Sequence, residues 1–325
     1  MPRSGTVDDH PGRRWGPWMV AGAAALIAGL GTRRRHAPGT ARWTRTVHAS
    51  PAPTVPPRST SARLTGAQVR ATLDARSFDT VFQPVFGLHD GRVLAVEALT
   101  RFAPLPTAPA GAPPLAPPIW FASAWGAGLG RELELATIAA ALGRSAPLTC
   151  GVPLSLNLSP ATLLDPRLVR LLDAHPERPV ILELTEHALI EDYATARLAV
   201  DRLRDRGCQL AVDDAGAGFA SLRHVVRLAP ELIKLDASLT QDIEHDTVRR
   251  ALAASLVLFA HRTGSRLVAE GIERADDLSA WCQLGADGAQ GYLLARPGPI
   301  RAWDEGPVLV RDAAPVRSTA RPRTP

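Results

Sequence analysis

Short apolar segments alternate with longer segments of helical periodicity along most of the chain. Eight of the short segments have the length and aliphatic content of β-strands, and they lie at 80–88, 92–102, 153–159, 180–186, 209–214, 232–236, 266–272 and 288–294. Helical patterns separate most of them, for example at 131–144, 194–207 and 246–264. Gly207 and Gly264 stand where the C-caps of two of these helices are expected.

The connections between the segments predict how the strands pair. The turn HDG at 89–91 is of the hairpin type, so we expect the first two strands to be antiparallel. Strands joined through helices pair in parallel. The number of strands and helices therefore predicts a β/α-barrel, with a doubly wound open sheet as the alternative.

A polar side chain interrupts nearly every predicted strand close to its C-terminal end. A strand buried on both faces is expected to be continuously apolar, so a repeated interruption is a pattern that needs a reason. In a β/α-barrel these strand ends meet at one mouth, where active sites are built. The interrupting residues are Glu97, Asn157, Glu183, Asp213, Asp214, Lys234, Glu270 and Gln290.

The residue types at this mouth favour divalent cations. Carboxylates predominate, without histidine or cysteine, and such oxygen ligands suit Mg²⁺ or Mn²⁺ rather than zinc. Asp213 and Asp214 are adjacent, and Asp214 can turn back toward a second ion from the loop after the strand. Two ions about 3.5–4 Å apart form a clamp for in-line attack on a phosphodiester. Lys234 adds a cation for the attacking water or for charge on phosphate.

Each of these residues, taken alone, has a simpler explanation. A single glutamate near a strand end is more often salt-bridged within a barrel than bound to a metal. Lys234 can neutralise Asp236, and the Asp213–Asp214 pair can cap a helix. The joint pattern favours the metal site.

Charge and composition divide the chain into a central domain and two basic ends. The formal net charge is +5, and it comes from arginines near the two termini, so it does not indicate a nucleic-acid polymer as a partner. We expect residues 36–61 to be a disordered linker rich in Pro, Ala and Arg, 62–310 to be the folded domain, and 311–325 to be a disordered tail. Within the domain, the Pro/Ala run at 103–118 predicts a long surface loop.

The N-terminal segment 1–35 combines an apolar run at 18–31 with flanking arginines. This run is close to the lower limit of about 17 residues for a membrane-spanning helix. Three alternatives remain open: a signal anchor, a cleaved signal peptide, and an extension that does not insert. The arginines that follow the run favour the cytoplasmic side. We therefore expect the folded domain to be cytoplasmic, either without attachment or anchored to the inner membrane.

The three cysteines carry no motif. Cys150, Cys208 and Cys282 are far apart, odd in number, and match no zinc-binding spacing. We expect them to be buried thiols of a protein in a reducing compartment.

Seven motifs in this order make the chain similar to one known family. They are FQPVFGLHDGRVLAVEALTRF (82–102), LSLNLSP (154–160), ILELTE (181–186), LAVDDAGAGFASL (210–222), LIKLD (232–236), LVAEGIE (267–273) and GAQGYLLARP (288–297). The chain resembles the EAL-domain family of cyclic di-GMP phosphodiesterases over about 80–300. The resemblance implies a modified TIM barrel, an α/β (βα)8 fold with one antiparallel strand. It also implies hydrolysis of cyclic di-GMP to linear pGpG with Mg²⁺ or Mn²⁺.

Motif positions extend the resemblance to individual residues. The implied catalytic residues are Glu97, Lys234, Glu270 and Asp213. The implied ligands of two metal ions are Glu97, Asn157, Glu183, Asp213, Asp214 and Glu270. Contacts to the dinucleotide are implied for Gln83, Arg101 and Gln290, and support of the site and of the loop after Asp214 for Glu186, Asp236 and Glu273. A homodimer formed through that loop region is implied as well.

The loop after Asp214 leaves a second function open. The family usually has DDFGTGYSSL where this chain has DDAGAGFASL, so Ala215, Ala217 and Phe219 replace an aromatic residue, a threonine and a tyrosine. Trp125 stands where the family usually has a glutamate. A more mobile loop would cost catalytic order, so the alternative is a non-catalytic cyclic di-GMP receptor or protein-interaction module. A third possibility is another phosphodiester hydrolase on the same barrel.

Overall fold

The fold is a closed barrel of eight strands in sequence order. The computed structural model describes residues 63–109, 111–148, 151–185, 190–215 and 219–300. The strands are β1 (Phe78–Gly87), β2 (Val93–Phe102), β3 (Leu154–Leu158), β4 (Val180–Leu184), β5 (Gln209–Ala215), β6 (Leu232–Leu235), β7 (Arg266–Ala269) and β8 (Gly288–Ala289). Strand β1 is antiparallel to both of its neighbours, β2 and β8, and the other neighbouring pairs are parallel. The modified TIM barrel is therefore confirmed, and the open sheet is wrong.

Helices of the described residues surround or flank this barrel. They are α1 (Gly66–Ala75), α2 (Pro117–Gly126), α3 (Gly130–Arg144), α4 (Pro160–Leu163), α5 (Pro166–Asp173), α6 (Tyr193–Arg204), α7 (Phe219–Leu228), α8 (Ala237–Thr240), α9 (Thr247–Thr263) and α10 (Ala275–Leu284). Side-chain caps begin several of them. Asp192 and Asp246, for example, each accept two backbone N–H groups at the starts of α6 and α9, which satisfies donors that have no partner inside a helix.

The interior of the barrel has an apolar layer below its mouth. Successive side chains of a strand point to opposite faces, so residues two apart share the inside of the barrel. The apolar layer is one packed cluster with a member from six of the strands: Val85, Ala95, Ile181, Ala211, Leu232 and Val268. This layer closes the barrel beneath the polar side chains at its mouth.

Helices cover the outward faces of the strands, and the apolar side chains between them form two clusters. Leu154, Leu156 and Leu182 pack with residues of α3, α5 and α6, and Ile233 and Leu267 pack with residues of α9 and α10. Because both faces of these strands are buried, their sequences are almost wholly apolar outside the site. The polar exceptions therefore stand out in the sequence.

The observed elements differ from the predicted ones in a few places. The last predicted strand is shortened to Gly288–Ala289. Gly264 is the C-cap of α9, with φ 78°, as predicted. Gly207 is not the C-cap of α6, because that helix ends at Arg204 and its C-cap is Asp205, two residues before Gly207. The Pro/Ala run is a largely exposed loop that leads into α2 at Pro117.

Two further sets of predictions concern the cysteines and the ends of the chain. Cys208 is half-buried and Cys282 is exposed, so the expectation of a buried thiol is wrong for Cys282, and Cys150 lies outside the described residues. The predicted anchor 1–35, linker 36–61 and tail 311–325 also lie outside them. Within the residues that the structure describes, no helix has the length and apolar character needed to cross a membrane.

Candidate metal centre and active site

The polar side chains form a layer directly above the apolar layer of the barrel. Each polar residue lies two positions closer to the mouth than the apolar residue of that layer on the same strand. These polar residues are Gln83 on β1, Glu97 on β2, Glu183 on β4, Asp213 on β5, Lys234 on β6 and Glu270 directly after β7. The period of two therefore aims all of them into the same space. Asn157 on β3 and Gln290 after β8 complete the ring.

Lys234 lies at the centre of four carboxylates. Its Nζ is 2.6 Å from Glu270 Oε1, 2.9 Å from Glu183 Oε2, 3.2 Å from Asp213 Oδ1 and 3.5 Å from Glu97 Oε2. The lysine side chain is only 2% exposed. A buried ammonium of this kind holds together carboxylates that would otherwise repel one another.

Amide and hydroxyl groups fix the orientation of the two buried glutamates. Gln290 Nε2 donates to Glu97 Oε2 at 2.8 Å, and Asn157 Nδ2 donates to Glu97 Oε1 at 2.8 Å. Gln83 Oε1 also accepts from Gln290 at 3.3 Å, so Gln83 belongs to the same network. On the other side, Ser155 Oγ donates to Glu183 Oε1 at 2.5 Å.

Burial and charge separate the protonation behaviour of the carboxylates. Burial raises the pKa of Glu183 to about 8, against the opposing effect of Lys234 and with a further contribution from the negative charges of Glu97 and Asp213. Burial likewise raises the pKa of Asp213, and raises that of Glu270 well above its ordinary value. At Glu97 burial acts in the same direction, but Lys234 and the hydrogen bonds from Gln290 and Asn157 prevail and lower the pKa.

Lys234 itself remains charged. Burial alone would lower its pKa, but the four surrounding carboxylates, with Asp213 first, raise the pKa well above the ordinary value. The ammonium is therefore a hydrogen-bond donor and a positive charge among the four carboxylates.

A bulge in β5 brings Asp213 and Asp214 to the same side. In a regular strand the two neighbours would point to opposite faces. Val212 pairs with Ile233 and Ala215 with Leu235 of β6, so two residues of β5, Asp213 and Asp214, lie opposite one residue of β6. Asp214 has φ 54°, in the left-handed region. A bulge with such a residue re-aims a side chain and is common beside active sites.

The cluster that results has the chemistry of a divalent-cation site. Asp213, Asp214 and Glu270 each offer an oxygen atom, and these three oxygens lie within 4.8 Å of one another. Among the described residues, the buried Gln290 Oε1 has no hydrogen-bond partner, so it can accept a hydrogen bond from a water or hydroxyl at the site. Carboxylate oxygens are the ligands that Mg²⁺ and Mn²⁺ prefer, and the residues present fit such an ion.

Some of the residues implied by the resemblance lie away from this cluster. Arg101 is exposed, donates to the Thr100 carbonyl, and lines a cavity next to the cluster. Asp236 caps helix α8 by accepting the Ser238 N–H at 2.8 Å, and Glu273 is exposed. Glu186 lies outside the described residues.

Sequence reasoning missed two features of the site. Ser155 lies two residues before Asn157 on β3, so the period of two could have placed its hydroxyl inside the barrel. The second feature is the lysine itself. Lys234 is the single lysine of the chain, which has 36 arginines. The lysine ammonium is compact and has three hydrogen-bond donors, so it fits among converging carboxylates. The larger, planar guanidinium group of an arginine has a different geometry and is not equivalent to it.

The comparisons with known proteins agree on one family. The profile of the EAL domain matches residues 67–297. The cyclic di-GMP phosphodiesterase RocR of Pseudomonas aeruginosa is 39% identical over 124 residues, which cover 38% of this chain and 32% of that protein. The chain spans about a third or less of the length of the curated relatives it matches.

Two solved structures show the same architecture. The Klebsiella pneumoniae protein BlrP1, solved as a calcium and cyclic di-GMP complex, matches with a TM-score of 0.59 and 31% identity over 69% of this chain and 56% of that chain. An EAL domain protein from Listeria monocytogenes matches with a TM-score of 0.63 and 21% identity over 74% of this chain and 96% of that chain. With the profile match over most of the folded residues, these likenesses establish that the chain belongs to the EAL domain family.

Proposed function

We propose that this protein hydrolyses cyclic di-GMP to linear pGpG with the help of two Mg²⁺ or Mn²⁺ ions. The observation that carries the proposal is the buried cluster in which Lys234 and the oxygen ligands Glu97, Glu183, Asp213 and Glu270 meet at one mouth of the barrel. Relatives named as cyclic di-GMP phosphodiesterases support the choice of substrate. The barrel domain is the part that this chain shares with those relatives.

The residues that would hold the ions are those with oxygen atoms facing the mouth. Asp213, Asp214 and Glu270 form one group, and Glu97, Asn157 and Glu183 are proposed to complete the coordination. Bound divalent cations lower the pKa of a coordinated water and stabilise negative charge on phosphate oxygens.

The protein side chains do the positioning. Gln290 and Asn157 hold the two oxygens of Glu97 from opposite sides. The Lys234 ammonium can donate a hydrogen bond to the attacking water or to a phosphate oxygen, and its raised pKa keeps it in that role across neutral pH. A carboxylate of the cluster must accept the proton that the water loses. Gln83 and Arg101 are proposed to contact the dinucleotide.

Turnover by the full chain tests the proposal. Cyclic di-GMP is incubated with the protein in Mg²⁺, in Mn²⁺ and in EDTA, and pGpG is followed by chromatography. The variant Glu97→Gln keeps the shape of the side chain but removes a ligand charge, so we expect metal-dependent pGpG from the wild type and a loss of at least about 100-fold in the variant. The control Leu258→Ala changes an exposed residue of α9 and should retain full turnover.

The other outcomes are informative as well. Binding of intact cyclic di-GMP without product would contradict the enzyme and favour the receptor that the altered loop after Asp214 suggests. Product from other phosphodiesters, without a preference for the cyclic dinucleotide, would favour a different hydrolase on the same barrel. If the protein neither binds nor hydrolyses cyclic di-GMP, only a protein-interaction role remains.

Location and assembly follow from the same proposal. A cytoplasmic second messenger requires the barrel to be on the cytoplasmic side, whether or not 1–35 attaches the chain to the inner membrane. A homodimer remains a prediction, and sedimentation of the full chain at several concentrations would test it.

A further inference from the structure

A large cavity extends from the metal cluster toward helix α2. Its volume is about 1000 Å³, at the upper end of the range of roughly 300–1,000 Å³ for small-molecule sites. Asn157 and Asp214 line it near the cluster, and Phe121 and Trp125 line it on the side of α2. A ligand whose phosphate reaches the cluster can therefore place another of its groups against these aromatic side chains.

Trp125 is held in place from more than one direction. Its Nε1 donates to Glu134 Oε1 at 3.0 Å, and the other oxygen of Glu134 accepts from the backbone N–H and the hydroxyl of Ser159. Below the ring, a Cβ on Gly130 would come within 2.2–2.7 Å of three indole atoms. A point this close to three atoms of the fused ring lies over its face, so the missing side chain of Gly130 is what allows the indole to lie flat there.

Part of the indole is accessible from the cavity that it lines. Trp125 is 39% exposed, while Trp120 on the same helix is 1% exposed and stacks on Phe102 with ring centroids 4.6 Å apart. Trp120 therefore contributes to the core, and Trp125 does not. An exposed tryptophan that is already fixed in one orientation loses little side-chain entropy when a planar ring stacks on it.

We propose that Trp125 is a stacking platform for one guanine base of the bound cyclic dinucleotide, and that Gly130 and Glu134 hold the indole in the orientation required. The inference rests on the proposed function and adds a residue that sets affinity for the base rather than the chemical step. Stacking of a base on an aromatic side chain is sequence-tolerant and is lost when the side chain is truncated.

Two substitutions separate stacking from the hydrogen bond to Glu134. Trp125→Leu removes the aromatic ring and the N–H, whereas Trp125→Phe keeps an aromatic ring above Gly130 and removes only the N–H. The dissociation constant of cyclic di-GMP is measured by calorimetry with the full chain in EDTA, and KM and kcat are measured in Mg²⁺ and Mn²⁺. Leu258→Ala is the control, and circular dichroism checks the folding of each variant.

The expected result is a weaker affinity for Trp125→Leu and a nearly normal one for Trp125→Phe. We expect the dissociation constant and KM of Trp125→Leu to rise about tenfold, which is about 1.4 kcal/mol, with kcat changed less than about threefold. Unchanged affinity in Trp125→Leu, or an equal loss in Trp125→Phe, overturns the stacking role while the turnover of the wild type still supports the enzyme. Absence of both binding and turnover in the wild type overturns both proposals.

A fluorescence measurement keeps the inference testable if Trp125→Leu does not fold. The chain has seven tryptophans, so the informative quantity is the difference between wild type and Trp125→Phe. Stacking predicts that cyclic di-GMP quenches the wild type and that most of this quenching disappears in Trp125→Phe. Equal quenching in both proteins contradicts the inference.

Discussion

Removal of the buried ammonium gives the sharpest test of the site. Lys234→Met has nearly the same length and no charge. At an effective dielectric constant of about 20, one ionised contact near 3 Å is worth about 5–6 kcal/mol of attraction, and four carboxylate oxygens lie 2.6–3.5 Å from Nζ. Desolvation of the ions offsets most of this gross attraction. Loss of one partner from a buried ionic group typically costs about 3–5 kcal/mol of unfolding free energy.

The size of the loss should depend on pH, because a carboxylate without its counter-charge can bind a proton. Protonating a glutamate costs about 1.4 kcal/mol of free energy for each unit by which the pH exceeds its ordinary pKa of 4.5. The cost is therefore about 1.4 kcal/mol near pH 5.5 and about 5 kcal/mol near pH 8. A carboxylate whose folded-state pKa is raised contributes full stability below its unfolded pKa and loses it as the pH rises. Lys234→Met should therefore be destabilised far more near pH 8 than near pH 5.5.

Urea unfolding in EDTA, followed by circular dichroism at both pH values, measures the effect. The matched control is Arg274→Met. Arg274 also contacts three carboxylates, those of Asp242, Glu244 and Asp276, but it is 47% exposed, so its loss should cost at most about 1 kcal/mol at either pH. A Lys234→Met protein as stable as the wild type near pH 8, or equally destabilised at both pH values, would refute the reasoning. Addition of Mg²⁺ should restore part of the lost stability, since a bound cation replaces the missing charge.

Three further substitutions probe separate parts of the structure. Asp165→Ala removes the N-cap of α5, whose carboxylate also accepts from Arg167 Nη2 at 2.7 Å. We expect a loss of about 1 kcal/mol near pH 7 with turnover unchanged. Because the hydrogen bond from Arg167, against the opposing effect of burial, lowers the pKa of Asp165 to about 2, the difference from wild type in urea unfolding should shrink as the pH falls below about 4; a difference that does not shrink would contradict this. Ser155→Ala removes the hydroxyl that donates to Glu183, so the pKa of Glu183 should rise further above about 8. The resulting loss of about 1–2 kcal/mol should appear near pH 9 and be smaller near pH 6, and a loss independent of pH would count against this role. Asp214→Asn removes a carboxylate charge at a left-handed backbone position that Asn also tolerates. Its stability in EDTA should equal or exceed that of the wild type while Mn²⁺ affinity by calorimetry falls at least about tenfold, and an unchanged affinity would exclude Asp214 as a ligand.

Much of the architecture could be predicted because each strand carries its own local signal. The eight apolar segments, the turn at 89–91 and the helical patterns between the strands are all features of neighbouring residues. The last strand was predicted too long because GAQGYLL is apolar or small at every position except Gln290, yet only Gly288 and Ala289 pair with β7. The backbone then leaves the sheet at Gly291, where a Cβ would come within 2.1–2.6 Å of the Ile272 backbone. This close approach involves two segments about twenty residues apart, which a local pattern does not show.

The candidate site was predictable in its membership but not in its contacts. The polar interruptions at strand ends identified Glu97, Glu183, Asp213 and Glu270 as a group. Nothing local shows that all four face the same ammonium, or that their pKa values are shifted in different directions. Those differences arise from burial and from partners on other strands. The hydrogen bond from Gln290 to Glu97, for example, joins residues that are 193 positions apart.

By itself, the sequence determined the order of strands and helices, the face of each strand that points inward, and the kinds of side chain that meet at the mouth, because these depend on periods of two and 3.6 along the chain. Only the tertiary structure decided which carboxylate Lys234 contacts most closely, how the bulge turns Asp214 toward Asp213, and that Gly130 lets Trp125 lie along the cavity. Each of these depends on distances of a few ångströms between segments that closure of the barrel brings together. Closure also excludes water from the cluster, and this burial gives the charges there their strength.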